Sequence, residues 1–138
     1  MYTGQIINML QQPVQIKPSR EVCHAAIGGI RDTLYVLGGK WKLPIIAALT
    51  DGGPIRFREL QKSLVDITPK VLSKELKELE LNEFVTRTVY DTSPVTVEYE
   101  LTEYSRSLSK VLQEMRDWGI QHRQRIKDNS RKGRTASR

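Results

Sequence analysis

Thr68 followed by Pro69 constrains this chain more than any other pair of residues. A threonine hydroxyl caps a helix N-terminus, and a proline, with φ already set and no N–H to lose, fits the first helical position. Beyond it Leu72, Leu76 and Leu79 recur at i, i+4 and i+7 with Val71 alongside, and Asn82 stands where a C-cap belongs, so the spacing predicts a helix over 68–82. Upstream, Phe57, Leu60 and Leu64 alternate with Arg56, Arg58, Glu59, Gln61 and Lys62 as a short amphipathic helix. Only Val65-Asp66-Ile67 separates the two. A short helix, a tight turn and a second helix with hydroxyl and basic residues is the helix-turn-helix plan, whose second helix fits the major groove of DNA.

The flanks complete a domain. Residues 85–90 and 95–101 are rich in β-branched and aromatic residues and bracket Asp91-Thr-Ser-Pro94, which reads as a hairpin, the wing of a winged helix. Two strands alone are marginal, so the hairpin must pack on helices. Before the motif, Trp41, Ile45, Ile46 and Leu49 mark one helix, with Pro44 tolerated near its first turn, and Ile30, Leu34 and Leu37 mark an earlier one that Gly28-Gly29 interrupts and Gly38-Gly39 ends. After the wing, Thr102 is expected to cap a long helix carrying Tyr104, Leu108, Leu112, Met115 and Trp118 and ending near Ile126. The expected organisation is a flexible arm over 1–21, a winged helix-turn-helix domain over 22–126 with dimerisation helices at both ends, and a disordered basic tail over 127–138. The fold class is mainly α with a small β-hairpin.

Composition excludes several alternatives. In 138 residues there is room for one domain, and 38% hydrophobic content suffices for a core. No apolar run approaches a membrane span and the first 20 residues lack a signal-peptide layout, so a soluble, cytoplasmic protein is expected. One cysteine and two histidines offer neither a disulfide nor an ordinary zinc site; no metal or cofactor is expected. There is no Gly-rich phosphate loop, no G-x-S-x-G and no H-E-x-x-H, so no enzyme is expected. The net charge of +6 is local: Arg123, Arg125, Lys127, Arg131, Lys132, Arg134 and Arg138 against Asp128 account for all of it, leaving the first 122 residues neutral. Basicity alone therefore says nothing about the folded part.

Within the predicted 68–82 helix, Lys70, Ser73, Lys74 and Lys77 share one face and the leucines take the other. Lysine reaches guanine O6 and N7 or a phosphate, and serine suits either. The bland alternative is a solvated face on which Lys74 and Lys77 pair with Glu78 and Glu75. Arg56, at the start of the preceding helix, is placed for a phosphate.

The stretches Gly38-Gly-Lys-Trp-Lys-Leu-Pro-Ile-Ile46, Arg56-Phe-Arg-Glu-Leu60, Ile67-Thr68, Leu72-Ser-Lys-Glu-Leu-Lys-Glu-Leu79, Phe84-Val-Thr-Arg87, Tyr90, Pro94 and Val97-Glu-Tyr-Glu-Leu-Thr102 resemble, in order, the HxlR-type winged-helix transcriptional regulators, which are similar to MarR-type regulators. The resemblance implies a prokaryotic homodimer that binds double-stranded DNA at an inverted repeat through the 68–82 helix and the wing at 85–101. It implies a regulatory role in transcription, with any small-molecule effector unidentified. The DNA-contacting set is then Arg56, Thr68, Lys70, Ser73, Lys74, Lys77 and Arg87, and the two-fold interface uses Leu108, Leu112, Met115 and Trp118. The family often carries a basic residue after the wing proline. Here Val95 and Thr96 follow Pro94, which shifts that contact to Arg87. Oxidant-sensing members place a cysteine near the position of Gly28. Cys23 lies about five residues earlier, and with only Arg20 as a neighbouring fixed cation it is expected to be an inert thiol rather than a redox switch.

Two further residues have plain explanations: Trp41 belongs to an apolar stripe, and His122 sits one turn beyond Trp118 at an interface or surface. The competing function is a winged-helix adaptor that docks proteins, which would put apolar residues where Ser73, Lys74 and Lys77 stand.

Overall fold

The computed structural model describes residues 20–136. The expected N-terminal arm lies, except for its last two residues, outside the described residues. The described residues fall into two units, the first ending at Tyr35 and the second beginning at Val36.

The first unit is described through helix α1 (Arg20–Leu37), whose last turn enters the second unit. The sequence reading breaks this helix at Gly28-Gly29, but the structure carries it through both. Glycine lowers helix propensity by about 1 kcal/mol without forbidding helical backbone. The stripe of Cys23, Ile27, Ile30 and Leu34 keeps its period across the pair, and the Thr33 hydroxyl donates to the Gly29 carbonyl at 2.8 Å.

The second unit follows the winged order: α2 (Lys42–Leu49), β1 (Ile55–Arg56), α3 (Phe57–Ser63), α4 (Pro69–Leu81), β2 (Val85–Tyr90), β3 (Thr96–Leu101), a 3-10 turn (Tyr104–Leu108) and α5 (Ser109–Ala136). Its core gathers Leu37, Ile45, Ile46, Leu49, Leu60, Leu64, Ile67, Leu72, Leu76, Leu79, Phe84, Val85 and Tyr99, with Trp41 packed at the edge. The predicted bounds of α4 hold at both ends. The Thr68 hydroxyl accepts from the Val71 amide at 3.3 Å with Pro69 in the first turn.

The C-terminus of α4 closes in a Schellman arrangement: Phe84 N–H reaches Leu79 C=O at 2.9 Å and Glu83 N–H reaches Glu80 C=O at 3.0 Å. This requires Glu83 at φ 63°, a left-handed conformation that usually goes to glycine, and it is held because Phe84 is drawn into the core. Asp66, at φ 68°, makes the reversal between α3 and α4.

The hairpin is one strand richer than expected. Ile55 and Arg56 pair with Tyr99 and Glu98, so the sheet is antiparallel with order β1-β3-β2. A two-residue strand has no periodicity of its own and exists only through its partner. At the wing tip the Thr92 hydroxyl donates to Pro94 C=O at 2.8 Å.

Two expectations about the C-terminal helix are corrected. Thr102 does not open α5. Its hydroxyl donates to Glu83 C=O at 2.6 Å and accepts from the Ser105 amide at 3.3 Å, while the buried Ser105 hydroxyl donates to Phe84 C=O; together they tie the 3-10 turn to the start of β2. Secondly, α5 does not end at Ile126 in a disordered tail but continues as helix to Ala136. Between these points Gly133 disfavours helix most and Asp128, Asn129, Ser130 and Thr135 less so, but Lys127, Arg131, Lys132 and Arg134 are good helix formers and hydrophilicity alone does not break a helix.

Leu76 is completely buried at the centre of the core. Leu76→Ala should cost about 2–5 kcal/mol, read as a lower denaturant midpoint with an unchanged slope.

Candidate nucleic-acid interface

The fold sorts the charged residues of α4. Burial of Leu72, Leu76 and Leu79 turns Lys70, Ser73, Lys74 and Lys77 outward, and all four are exposed. Two of the three acidic residues of the same helix, Glu75 and Glu78, have another partner, while Glu80 is exposed. Lys42, on the first turn of α2, places its Nζ 2.7 Å from Glu75 Oε2 and 2.6 Å from Glu78 Oε2, with only 13% of its side chain exposed. The pairing of Lys74 and Lys77 with Glu78 and Glu75 is therefore not the arrangement adopted. Among the described residues Lys70, Lys74 and Lys77 enter no ion pair.

Burial pulls the Lys42 pKa down, but the hydrogen bonds and charges of the two carboxylates outweigh it and raise the pKa above the ordinary lysine value. Glu78 is held below the ordinary glutamate value, chiefly by its hydrogen bond to Lys42, then by the charges of Lys42 and Lys74.

Between α3, α4 and the wing lies a groove of about 490 Å³ lined by Arg56, Arg58, Ser73 and Arg87 over an apolar floor that includes Phe57 and Tyr99. A smaller recess of about 310 Å³ adjoins it, lined by Ser73, Lys77 and Glu80 of α4 with Arg87 of β2 and Tyr99 of β3. The sheet positions the two arginines: Ile55 and Arg87 both pair with Tyr99, and Arg56 pairs with Glu98, its Nε 4.0 Å from Glu98 Oε1. The phenyl ring of Phe57 and the ring of Tyr99 lie 6.4 Å apart beneath them.

Of the seven expected contact residues, the structure brings Arg56, Ser73 and Arg87 around this groove and Lys77 to the adjoining recess. Lys70 and Lys74 lie on the exposed surface of α4 outside its lining, and Thr68 is engaged as the helix cap. Arg58 is a groove residue that the sequence reading passed over. Its signal was the second cation in Arg56-Phe57-Arg58, at the N-terminus of a short helix.

The residues expected at a two-fold interface divide. Leu108 and Leu112 pack against the domain's own core, whereas Met115 is 49% and Trp118 66% exposed, the latter stacked on His122 at 4.9 Å. Cys23 is half-buried on α1 and its neighbour His24 is exposed. Among the described residues no group of His, Cys, Asp or Glu is arranged to hold a metal ion, and no helix is long and apolar enough to cross a membrane.

The model of the HxlR-like helix-turn-helix family matches residues 36–127. The chain belongs to that family. It is 44% identical over 90 residues to an HTH-type transcriptional regulator of Halalkalibacterium halodurans, spanning 65% of this chain and 80% of the relative. To the HTH-type regulator YtcD of Bacillus subtilis it is 43% identical over 97 residues, 70% of this chain and 76% of the relative. Among solved structures, the redox regulator HypR in its reduced form superposes with a TM-score of 0.67 at 37% identity, covering 72% of this chain and 98% of that one. The crystal structure of YtcD gives 0.63 at 44% identity, covering 67% and 94%. These relatives are transcriptional regulators rather than enzymes, and this chain is a transcriptional regulator with a winged helix-turn-helix domain. Cys23 lies outside the matched residues.

The Lys42 clamp carries a pH signature. Glu78, with its lowered pKa, contributes stability that is complete above the value of an unfolded glutamate, about 4.3, and disappears as pH falls through its folded value. Lys42, with its raised pKa, contributes stability that is complete below about 10.4 and is lost above it. Lys42→Met should therefore lower stability near neutrality, modestly because the Glu78 side chain is 41% exposed. Urea titrations should show the gap from wild type closing below about pH 4.

Proposed function

We propose that the protein acts as a homodimer that binds an inverted-repeat operator, with α4 of each copy in a major groove and the wing against the adjacent backbone. The observation that carries this reading is the cationic face of α4, with Lys70, Ser73, Lys74 and Lys77 exposed and two of the helix's three acidic residues, Glu75 and Glu78, engaged by Lys42. Lys74 and Lys77, one turn apart, reach base edges or flanking phosphates. Arg56, Arg58 and Arg87 around the groove suit a phosphodiester strand, whose charge meets the guanidinium groups while its sugars lie on Phe57 and Tyr99. Thr68 contributes by fixing the start of α4. The cations of α5 beyond His122 add attraction for any sequence by counterion release. Such a regulator works where the chromosome is, in the cytoplasm with the nucleoid.

The dimer rests on α5. Leu108 and Leu112 anchor the helix to its own domain, and the exposed Met115 and Trp118 continue the stripe beyond that core. A second copy covers them in a two-fold arrangement, so that two α4 helices read half-sites about 34–36 Å apart.

Two measurements test these statements. Lys74→Glu should weaken binding to a duplex enriched from a random library by the wild-type protein, by at least the roughly 1–3 kcal/mol of one base contact, with unchanged circular dichroism. Equal affinity in a band shift would remove α4 from the interface. Met115→Arg should turn a dimer into a monomer in analytical ultracentrifugation; a wild type that sediments as a monomer at micromolar concentration would refute the two-fold reading.

A further inference from the structure

Lys42 is not on α4, faces no groove and was no candidate for DNA contact, yet it governs the charge that α4 presents. It occupies the first position of α2, where a cation meets the positive end of the helix dipole and α2 offers no acidic residue in its first turn. Its local position is thus unfavourable. What it gains is across the core: two carboxylates from successive turns of α4, at 2.7 and 2.6 Å.

Without Lys42 those carboxylates would have two effects on α4. Glu78 lies one turn beyond Lys74, in the i, i+4 relation in which opposite charges pair along a helix. Glu75, beside Lys74 in sequence and only 17% exposed in its side chain, would carry an uncompensated negative charge near the face meant for phosphate. Both effects subtract from the cationic face.

We propose that Lys42 is a positioning residue for DNA binding: by holding Glu75 and Glu78 on the α2 side, it keeps Lys74 free and prevents the two carboxylates from repelling the DNA backbone. The inference rests on the reading that α4 contacts DNA, and the experiment separates the two.

The probe is a fluorescein-labelled duplex enriched by the wild-type full-length protein from a random library, with anisotropy measured across a salt series and folding followed by circular dichroism. Lys42→Met is expected to bind about tenfold more weakly, with a salt slope smaller by about one phosphate contact, roughly 0.9. Combining it with Glu75→Gln and Glu78→Gln should return affinity to within about twofold of wild type, although no ion pair is left, because the negative charge has gone with the clamp. Should Lys42→Met fail to fold, Glu75→Gln with Glu78→Gln in the presence of Lys42 serves instead, and is expected to bind at least as tightly as wild type.

A triple variant as weak as Lys42→Met, or a folded glutamine pair that loses affinity, would make the clamp a purely structural tie and overturn the proposal. So would wild-type affinity and salt slope in Lys42→Met while Lys74→Glu loses binding. If Lys74→Glu also binds like wild type, the reading of α4 itself falls and the proposal with it.

Discussion

Leu72, Leu76 and Leu79 of α4 are completely buried in one cluster with Ile45, Ile46 and Leu60, and this contact sets how the helix is rotated about its axis. Each leucine is worth about 1.5–3 kcal/mol in the core rather than in water. A half-turn of α4 would forfeit that and bury lysine ammonium groups instead, which costs more still. The outward direction of Ser73, Lys74 and Lys77 is therefore a consequence of packing and needs no ligand to hold it. The same core fixes the sheet, since Tyr99 and Val85 are buried on either side of the β2–β3 pairing, and the register then places Arg87 beside Tyr99.

How much of this was legible depended on range along the chain. The ends of α4 were readable because caps are local: Thr68, Pro69 and Asn82 act on residues within a turn or so of themselves. Strand β2 was readable from its own β-branched residues. Strand β1 was not, because its two residues are defined by pairing with Tyr99 and Glu98, more than forty positions away. The clamp was hidden for the same reason. Lys42 and Glu75 are separated by 33 residues, and a helix-local rule assigned Glu75 and Glu78 to the nearest lysines in sequence. The long α5 was misjudged differently. A hydrophilic stretch with few apolar residues reads as disorder, yet a helix satisfies its own backbone without a core, and low propensity at Asp128, Asn129, Ser130, Gly133 and Thr135 does not forbid it. At Gly28-Gly29 the error was the reverse, since low propensity was treated as a stop where the apolar period ran on unbroken.

The distribution of charge connects fold to regulation. A body with equal numbers of acidic and basic residues over its first 122 positions has no net attraction for a polyanion, so any preference for DNA must come from where charges are held rather than how many there are. The fold separates them in two steps. The leucine face of α4 directs its cations outward, and a nearly buried lysine from another helix draws two of its carboxylates to the opposite side. Arg56, Arg58 and Arg87 then extend the positive region across a groove made by three elements distant in sequence. The cations gathered at the end of α5 belong to a different regime, exposed and carried on a helix that buries no residue fully. On the proposed reading, charges of the first kind act at fixed geometry and discriminate between sites, and those of the second act through the ion atmosphere and raise affinity for all sites alike. On that reading, keeping the two on separate parts of the chain lets overall affinity change with the length and charge of the C-terminal helix while the outward face of α4 stays as the core has set it.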